Sequence, residues 1–338
     1  MPSAADNPLA LSLNENPFSP LPAVRAAIID TIGAANRYPE FLPEQLRLLI
    51  AAQIGVRGDQ VVIGAGATGV VMQALHALTA PGDRMVMTTP TFDGYPIFAQ
   101  MARLVPVTVP LDGDGHHDLD AMADAAADAR VVVLCRPHNP SGTIESAAEV
   151  FRFLNRVPKD TVVVLDEAYI EFVSPHHWID TVDVVRRFPN VVVVRTFSKA
   201  YGLAGMRTGY GFCSPDLART LWGMQLPFGT SVTSYAAVAA SYAAEVELRQ
   251  RIQLITAERD YLRMRLRSMG IASTDSHANF VYLRPSGRPW HCAFHGTGLQ
   301  VRQYSDGGVR ITVGSRSSSR AVLAALGGLT SAAAGCDQ

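Results

Sequence analysis

The chain is poor in the features that mark nucleic-acid-binding, membrane and secreted proteins. Its 29 lysines and arginines nearly balance 30 aspartates and glutamates, so the net charge of −1 gives no reason to expect nucleic acid or an anionic membrane as a partner. No run of about eighteen apolar residues is free of charges and turn formers, so no transmembrane helix is predicted. The first residues also lack a basic segment followed by an apolar one. We therefore expect a cytoplasmic protein without a secretory signal.

Cysteine is scarce and scattered along the sequence. The chain has four cysteines in 338 residues, and no two of them stand at the spacing of a zinc site. We expect buried or incidental thiols in a reducing compartment, and no metal site. The four positions are Cys135, Cys213, Cys292 and Cys336.

The chain is long enough, and at 48% hydrophobic apolar enough, to build a large core and two lobes. In residues 21–230, β-branched runs alternate with helical patterns, which predicts a large α/β domain with a mainly parallel sheet. Residues 231–338, with a helical stretch at 234–269 and a last helix at 317–329, indicate a small α+β domain. The arm, residues 1–20, is expected to join it. Strands are predicted near residues 61–63, 84–88, 105–109, 131–135, 161–165, 191–196, 209–213, 279–283, 299–301 and 308–313.

Three of these predicted strands are followed by polar residues whose side chains could take part in catalysis. The run at 131–135 leads to Asn139, the run at 161–165 leads to Asp166 and Tyr169, and the run at 191–196 leads to Lys199. Continuous β-branched runs are typical of parallel strands buried on both faces, and ligands of such sheets lie outside the carboxyl ends. We therefore expect these side chains at one crevice. A lysine placed there suits a Schiff base with an aldehyde, because desolvation or nearby cations lower the pKa of an amine.

The motifs, taken in order, resemble those of a fold-type I pyridoxal-phosphate (PLP) aminotransferase. The similarity is to the branch that contains the histidinol-phosphate and aromatic aminotransferases, and it extends over nearly the whole chain. Single motifs of this kind are weak signals, but their order and spacing together are specific. The segments that carry the resemblance are residues 11–17, 36–39, 166–169, 196–205 and 309–314.

The resemblance implies roles for five residues around the cofactor ring. Lys199 would form the Schiff base with PLP and move a proton between substrate and cofactor. Asp166 would pair with the pyridine nitrogen, although a helix cap is an alternative role for it. Asn139 and Tyr169 would hydrogen-bond the phenolic oxygen O3′, and Asn139 also suits a turn. Phe92 would stack on the ring, with ordinary core packing as the rival interpretation.

The cofactor phosphate would be bound at a strand-to-helix turn and by two side chains. Arginine and the N–H groups at a helix start both suit a phosphate. An apolar helix is predicted after this glycine-rich turn, from Val70 to Leu78. Taken alone, the turn is equally consistent with tight packing. The residues assigned to the phosphate are Ser198, Arg207 and the backbone of Gly66, Ala67 and Thr68.

Four further residues are assigned to the substrate or to a second subunit. Arg310 would bind the substrate α-carboxylate with two parallel hydrogen bonds, and Asn14 of the arm is also assigned to substrate binding. Arg302 would bind a substrate phosphate or form a structural ion pair, and both interpretations stay open. Tyr38 would reach the cofactor phosphate of the neighbouring subunit, which implies a homodimer; local packing is the alternative.

Three departures from the family pattern weaken any precise substrate assignment. The arm is shorter than is common, so we expect part of the lid to be missing or supplied differently. Arg136 and His138 replace asparagine and are expected to add charge or proton capacity near O3′. Ala67 and Thr68 stand where an acidic pair is often found.

The predicted function is transfer of an amino group from an amino acid to a 2-oxoacid. An aromatic amino acid or histidinol phosphate is the favoured donor. A PLP decarboxylase of a phosphorylated amino acid is the alternative enzyme, since the same cofactor residues would serve it. A non-enzymatic scaffold is disfavoured by the intact set of Lys199, Asp166 and Arg207.

Overall fold

The computed structural model describes residues 7–285 and 287–329, and its larger part is a seven-stranded sheet. The sheet has the order β1-β7-β6-β5-β4-β2-β3, and every neighbouring pair is parallel except the two that β7 makes. This confirms the predicted α/β class. The strands are β1 Val61–Ala65, β2 Arg84–Thr89, β3 Val105–Pro110, β4 Val131–Cys135, β5 Val162–Asp166, β6 Val191–Thr196 and β7 Thr208–Phe212.

Helices cover both faces of this sheet. The side chains of β5 and β6 alternate between two apolar clusters, so both faces are sealed from water. On one face the helices α3, α4 and α8 contribute, and on the other α1, α2, α5, α6, α7 and α9. These helices are α1 Pro22–Ile32, α2 Glu44–Ile54, α3 Gly66–Leu78, α4 Gly94–Met101, α5 Leu119–Ala126, α6 Ala147–Arg156, α7 Thr181–Arg187, α8 Pro215–Trp222 and α9 Val232–Ala243.

The glycine-rich turn after β1 is tighter than the sequence suggested. Helix α3 begins at Gly66, four residues before the Val70 start that the apolar pattern indicated. Gly66 has a φ of 74°, a left-handed conformation that glycine adopts without strain. A Cβ on Gly209 of β7 would stand 2.4 Å from the carbonyl carbon of Gly66. The two glycines therefore let the start of α3 lie directly against the sheet.

The C-terminal part forms a separate three-stranded antiparallel sheet, and the N-terminal arm pairs with it. The sheet order is β8-β10-β9, and α10 and α12 pack against it. The Leu11 N–H donates to the Gln300 carbonyl oxygen at 2.8 Å, and the Leu11 oxygen accepts from Thr312 N–H at 2.9 Å. The elements are α10 Glu245–Ser268, β8 Phe280–Leu283, α11 Trp290–Phe294, β9 Arg302–Gln303, β10 Val309–Thr312 and α12 Arg316–Leu329.

Two sequence predictions in this part were wrong. The helical stretch 234–269 is broken at Ala244, whose φ of −101° and ψ of 36° separate α9 from α10. The strand predicted at 299–301 is reduced to one bridge between Gln300 and Ala10 of the arm, and β9 begins only at Arg302. The short helix α11 was not predicted from the sequence.

Two further expectations can be compared with the described residues. No helix in the described part of the chain has the length and apolar character that a membrane crossing requires. Cys135 and Cys213 are buried free thiols, as expected. Cys292 is disulfide-bonded, so the expectation of incidental thiols does not extend to it. Cys336 lies outside the described residues.

Candidate active site

A cavity of about 260 Å³ lies at the carboxyl ends of β4, β5 and β6. These strands are neighbours in the sheet, so the residues that follow them meet at one edge. The structure thus brings together the side chains that the sequence placed after separate strands. Those that line the cavity are Ala67, Thr68, Phe92, Asn139, Asp166, Tyr169, Ser198, Lys199 and Arg207.

Asp166 is the last residue of β5 and is buried at the floor of the cavity. Its Oδ2 accepts a hydrogen bond from the Tyr95 hydroxyl at 2.7 Å, and its Oδ1 accepts from the Ala168 N–H at 3.0 Å. Burial raises the pKa of Asp166, because desolvation disfavours the carboxylate. Tyr95 was not predicted from the sequence. It lies on α4, three residues after Phe92, and only that position in the motif could have indicated it.

Tyr169 accepts hydrogen bonds from two asparagine side chains. Asn14 Nδ2 donates to its hydroxyl oxygen at 3.0 Å, and Asn139 Nδ2 donates at 3.2 Å. A phenol has two acceptor lone pairs and one donor hydrogen. Both lone pairs are therefore used, and the Tyr169 hydrogen is left to donate into the cavity. Burial raises the pKa of Tyr169, so it stays a neutral donor at physiological pH.

Asn14 does not offer its side chain to a substrate. It is 1% exposed, and its Oδ1 accepts from the Thr312 hydroxyl at 3.1 Å while its Nδ2 is donated to Tyr169. Its backbone has a φ of 54° and is bonded to Thr312 and Asn279. The geometry therefore disagrees with the assignment to substrate binding. Asn14 instead fixes Tyr169 and ties the arm to both sheets.

Arg310 stands on β10 and reaches across to the large sheet. Its Nη1 donates to Asn139 Oδ1 and, at 3.0 Å, to the Tyr304 hydroxyl, and its Nη2 donates to the Ser12 carbonyl at 2.6 Å. Its Nε is buried and has no partner among the described residues. A buried donor without a partner is costly. Arg310 is not itself a lining residue, but it bonds to Asn139, which is, and its unused Nε–H and second Nη2 hydrogen are available to an anion beside the cavity.

Lys199 is the only lysine of the cavity lining, and its amine is held at the cavity mouth. Its Nζ donates to the Leu13 carbonyl oxygen at 2.9 Å. Burial, and then the positive charge of Arg310, lower the pKa of Lys199 from 10.5 to about 8; Arg207 acts in the same direction. Glu15 opposes these effects less strongly than Arg310 but more strongly than Arg207 contributes, and Asp166 opposes them least. A substantial fraction of the amine is therefore neutral and nucleophilic near physiological pH.

The opposite end of the cavity is suited to an anion. Arg207 Nη1 donates to Ser198 Oγ at 3.4 Å, and its Nη2 donates to the Ala65 carbonyl at 3.3 Å. Ala67 and Thr68 lie in the first turn of α3, where backbone N–H groups have no intrahelical acceptor. Gly66 differs from them, because its N–H is donated to the Arg207 carbonyl at 3.1 Å. Gly66 therefore shapes this end of the cavity and keeps no free N–H for it.

Five assigned residues lie outside the cavity lining, namely Asn14, Tyr38, Gly66, Arg302 and Arg310. Tyr38 is 81% exposed in the loop between α1 and α2, with its ring 4.7 Å from that of Phe228. Arg302 forms an ion pair with Asp93, with 2.8 Å between Nη2 and Oδ1. The sequence had left a substrate phosphate site and a structural ion pair open for Arg302. The structure shows the ion pair.

The expected effect of Arg136 and His138 on the site is not found. The Arg136 side chain is fully buried, with Nε and Nη2 donating to the carbonyls of Glu145 and His177, away from the cavity. His138 is buried between the Thr88 and Ser141 hydroxyls. Burial lowers its pKa well below the usual value, so it is neutral. The two residues support the loop and add no charge at the cavity.

The fold and this cavity define a PLP-dependent enzyme with a lysine, a buried carboxylate and an anion site around one ligand. The chain belongs to the family Aminotransferase class I and II, whose model matches residues 6–325. It is therefore an aminotransferase that uses PLP, an amino donor and an oxoacid acceptor.

Individual relatives share most of their length with this chain. It is 42% identical over 315 residues to an aromatic amino acid aminotransferase of Cutibacterium acnes, covering 92% of this chain and 90% of the relative. A relative of the same name from Streptomyces avermitilis is 42% identical over 318 residues, with coverage of 93% and 89%. The crystal structure of histidinol-phosphate aminotransferase from Sinorhizobium meliloti with pyridoxal-5′-phosphate is 27% identical, with a TM-score of 0.89 and coverage of 99% and 95%. The fold-type I expectation is confirmed.

The residues of the cavity fit PLP. Asp166 is buried and forms no ion pair with any described residue, so a protonated ring nitrogen would supply the positive charge that it lacks. The phosphate fits the anion site of Arg207, Ser198 and the start of α3. A Cβ on Gly66 would stand 2.6 Å from Arg207 Nη2, so only glycine leaves this arginine in place.

Proposed function

We propose that this aminotransferase acts on aromatic amino acids, with a 2-oxoacid as acceptor, and that Lys199 is its catalytic amine. The observation that carries the proposal is the convergence of Lys199 and Asp166 on one cavity, with Arg310 bonded to the lining residue Asn139 and close enough to Lys199 to lower its pKa. The aromatic amino acid aminotransferases at 42% identity support the substrate class. The role of each further residue depends on which part of the cofactor or substrate it can bind and on which proton it can transfer.

The chain holds the cofactor by its two ends. When bound, PLP supplies an aldehyde that condenses with amines and a protonated ring that accepts electrons from the substrate α-carbon. Asp166 keeps the ring nitrogen protonated, since a carboxylate favours a cation beside it. Tyr95 and the Ala168 N–H fix the orientation of that carboxylate. Phe92 lines the wall of the cavity and is suited to pack against the ring.

Tyr169 and Asn139 tune the phenolic oxygen O3′. The Tyr169 hydrogen is free because both lone pairs of the hydroxyl accept from asparagines, so the hydroxyl would donate to O3′ of bound PLP. The orientation of the Asn139 amide follows from Arg310, which donates to its Oδ1. Asn139 therefore presents Nδ2, which has one hydrogen left after Tyr169. Both donors stabilise a negative charge on O3′.

Arg310 binds the substrate carboxylate with its two unused donors. Nη1 is already donated to Asn139 and Tyr304, whereas Nε–H and one Nη2 hydrogen remain. Two adjacent N–H groups of a guanidinium match the two oxygens of a carboxylate. With the carboxylate held there, the Lys199 amine would be the base for the proton on the substrate α-carbon and the acid that returns it to bound PLP, roles that suit its pKa of about 8.

We further propose a homodimer in which Tyr38 completes the neighbouring site. An aromatic patch of Tyr38, Phe41 and Phe228 is exposed, with 81%, 60% and 42% of the respective side chains accessible. Exposed apolar patches of this kind mark interfaces. A cytoplasmic location is also proposed; the buried free thiols Cys135 and Cys213 support it, whereas the disulfide-bonded Cys292 counts against it.

Mixed dimers test the role of Tyr38. Neither Lys199→Ala nor Tyr38→Ala should be fully active alone. If Tyr38 acts in the partner's site, a mixed dimer has one intact site and recovers activity. If Tyr38 acts within its own subunit, no site is intact and mixing restores nothing.

The substrate proposal is tested by steady-state turnover. L-phenylalanine, L-tyrosine, histidinol phosphate and phosphorylated threonine are each supplied with 2-oxoglutarate, and glutamate and carbon dioxide are measured. We expect glutamate from the aromatic donors and none from Lys199→Ala. Turnover restricted to histidinol phosphate would refute the aromatic assignment, and carbon dioxide release would favour the decarboxylase. No contact among the described cavity residues favours that alternative.

A further inference from the structure

Asp93 and Arg302 form an ion pair next to residues of the candidate site. Arg302 Nη2 lies 2.8 Å from Asp93 Oδ1, and the two side chains are 46% and 44% exposed. Asp93 directly follows Phe92, which lines the cavity, and Arg302 lies opposite Arg310 in the register of β9 and β10. The ion pair therefore spans from the large sheet to the small one, beside the carboxylate-binding arginine.

Tyr304 connects this pair to the cavity. Its ring lies 5.9 Å from the guanidinium carbon of Arg302 and 5.9 Å from that of Arg310. Its hydroxyl accepts from Arg310 Nη1 at 3.0 Å. Arg302 is thus one aromatic ring away from the substrate carboxylate site. Without an acidic partner, it would offer a second cation to a substrate that carries an additional negative charge.

Asp93 is the acidic partner that keeps Arg302 from acting as a second cation for a substrate. The other carboxylate near Tyr304 is Asp306, which already accepts from the Tyr282 hydroxyl at 2.9 Å and from the Gly308 N–H at 2.9 Å. Asp93 makes no helix-capping hydrogen bond at the start of α4, although it occupies the cap position. Its side chain is therefore committed to Arg302 and not to the helix.

We propose that Asp93 determines the substrate class by holding Arg302 and cancelling its charge. This inference rests on the proposed aromatic function. The substrate side chain then meets a neutral pair and the Tyr304 ring, which suits an uncharged aromatic group. A phosphorylated or carboxylated side chain meets no free cation, because Asp93 offsets the charge of Arg302. Specificity is a difference of affinities, and withholding a cation lowers the affinity for a substrate with an additional negative charge.

The test compares two donors that differ by one carboxylate, L-phenylalanine and 4-carboxy-L-phenylalanine. Asp93→Asn removes the charge and leaves Arg302 free. We expect kcat/KM for the carboxylated donor to rise roughly fivefold relative to L-phenylalanine, the size of one exposed ion pair, chiefly through KM. The value for L-phenylalanine itself should stay within about twofold.

Three further variants make the result specific. Asp93→Glu keeps the charge and should keep the wild-type ratio, while Asp306→Asn removes a nearby acid that does not pair with Arg302 and should also leave it unchanged. The Asp93→Asn, Arg302→Gln double variant should lose the gain. An unchanged ratio in Asp93→Asn, or a gain that survives in the double variant, would overturn the inference while leaving the aromatic function intact. A wild-type enzyme that does not turn over L-phenylalanine would instead refute the proposed function, and this inference with it.

Discussion

The pKa of Lys199 can be perturbed through a neighbour, which tests the electrostatics of the site directly. Burial and the cations Arg310 and Arg207 lower this pKa from 10.5 to about 8. At pH 7.5 about a quarter of an amine with that pKa is neutral, compared with about 0.1% of an unperturbed lysine. Only the neutral amine attacks an aldehyde. The apoenzyme should therefore recombine with PLP at a rate that rises with pH through a midpoint near 8.

The perturbation is Arg310→Gln, which removes a cation that lowers the Lys199 pKa. A cationic neighbour disfavours a second positive charge, so its removal favours the protonated amine and raises the midpoint. Burial is the larger cause and is retained, so the midpoint should move only part of the way towards 10.5. Recombination near neutral pH should slow accordingly.

The assay follows the visible absorbance of the bound cofactor after PLP is added to apoenzyme across neutral and alkaline pH. Arg302→Gln is the matched control, because Arg302 is not among the groups that shift the Lys199 pKa. A wild-type midpoint close to 10.5 would refute the desolvation argument. A midpoint that falls in Arg310→Gln, or that moves equally in Arg302→Gln, would refute the role given to Arg310.

Three other predictions concern packing, hydrogen bonding and pH-dependent stability. Gly209→Ala places a Cβ 2.4 Å from the Gly66 carbonyl carbon and should lower the unfolding free energy by about 1–3 kcal/mol and weaken PLP binding. Gly205→Ala is the control, because its Cβ would have nothing within 4 Å, and it should change neither quantity in melting and PLP titration experiments. Tyr169→Phe should lower kcat/KM by about tenfold or more, since a donor to a charged oxygen is lost; an unchanged value would rule out the contact to O3′. Burial raises the pKa of Glu171 from 4.5 to about 7. Between these values the folded protein holds a proton that the unfolded chain has lost, so the unfolding free energy falls as the pH rises from about 4.5 to about 7. Glu171→Gln should remove that component of the melting-temperature profile, and a variant profile parallel to the wild type would contradict the assigned pKa.

The sequence was sufficient to predict the sheet and the strand ends that face the cavity. The runs at β4 and β6 match their predicted bounds, and β5 is shifted by one residue. Continuous valine-rich segments leave few alternatives to a buried strand, and the geometry of a parallel sheet then brings their carboxyl ends together. Asn139, Asp166, Tyr169 and Lys199 could be assigned to one cavity for this reason.

The partners of individual side chains could not be predicted in the same way. Asn14 bonds to Tyr169 and to Thr312, which are 155 and 298 residues away along the chain. No local pattern carries such a pairing, so Asn14 was assigned to the substrate. Arg136 was misassigned for the same reason, because its acceptors, the Glu145 and His177 carbonyls, become neighbours only when the loops are packed.

Local signals also misplaced two element boundaries. The start of α3 depends on the left-handed backbone of Gly66 and on the close approach of Gly209 from β7, which the periodicity of the helix does not encode. The strand expected at 299–301 begins instead at Arg302, where the chain pairs with β10, while Gln300 forms a single bridge with Ala10 of the arm. In both cases the boundary depends on contacts between distant segments, which local preference does not encode.

Transfer of an amino group from an aromatic donor, at one cavity with Lys199 as its amine, can be measured as a half-reaction. The PLP-loaded enzyme is mixed with L-phenylalanine in the absence of any 2-oxoacid. We predict one phenylpyruvate per subunit, conversion of the cofactor to pyridoxamine phosphate, no carbon dioxide, and no product from Lys199→Ala. Phenylpyruvate from the Lys199→Ala variant at the wild-type rate, or an unchanged wild-type cofactor spectrum, would contradict it.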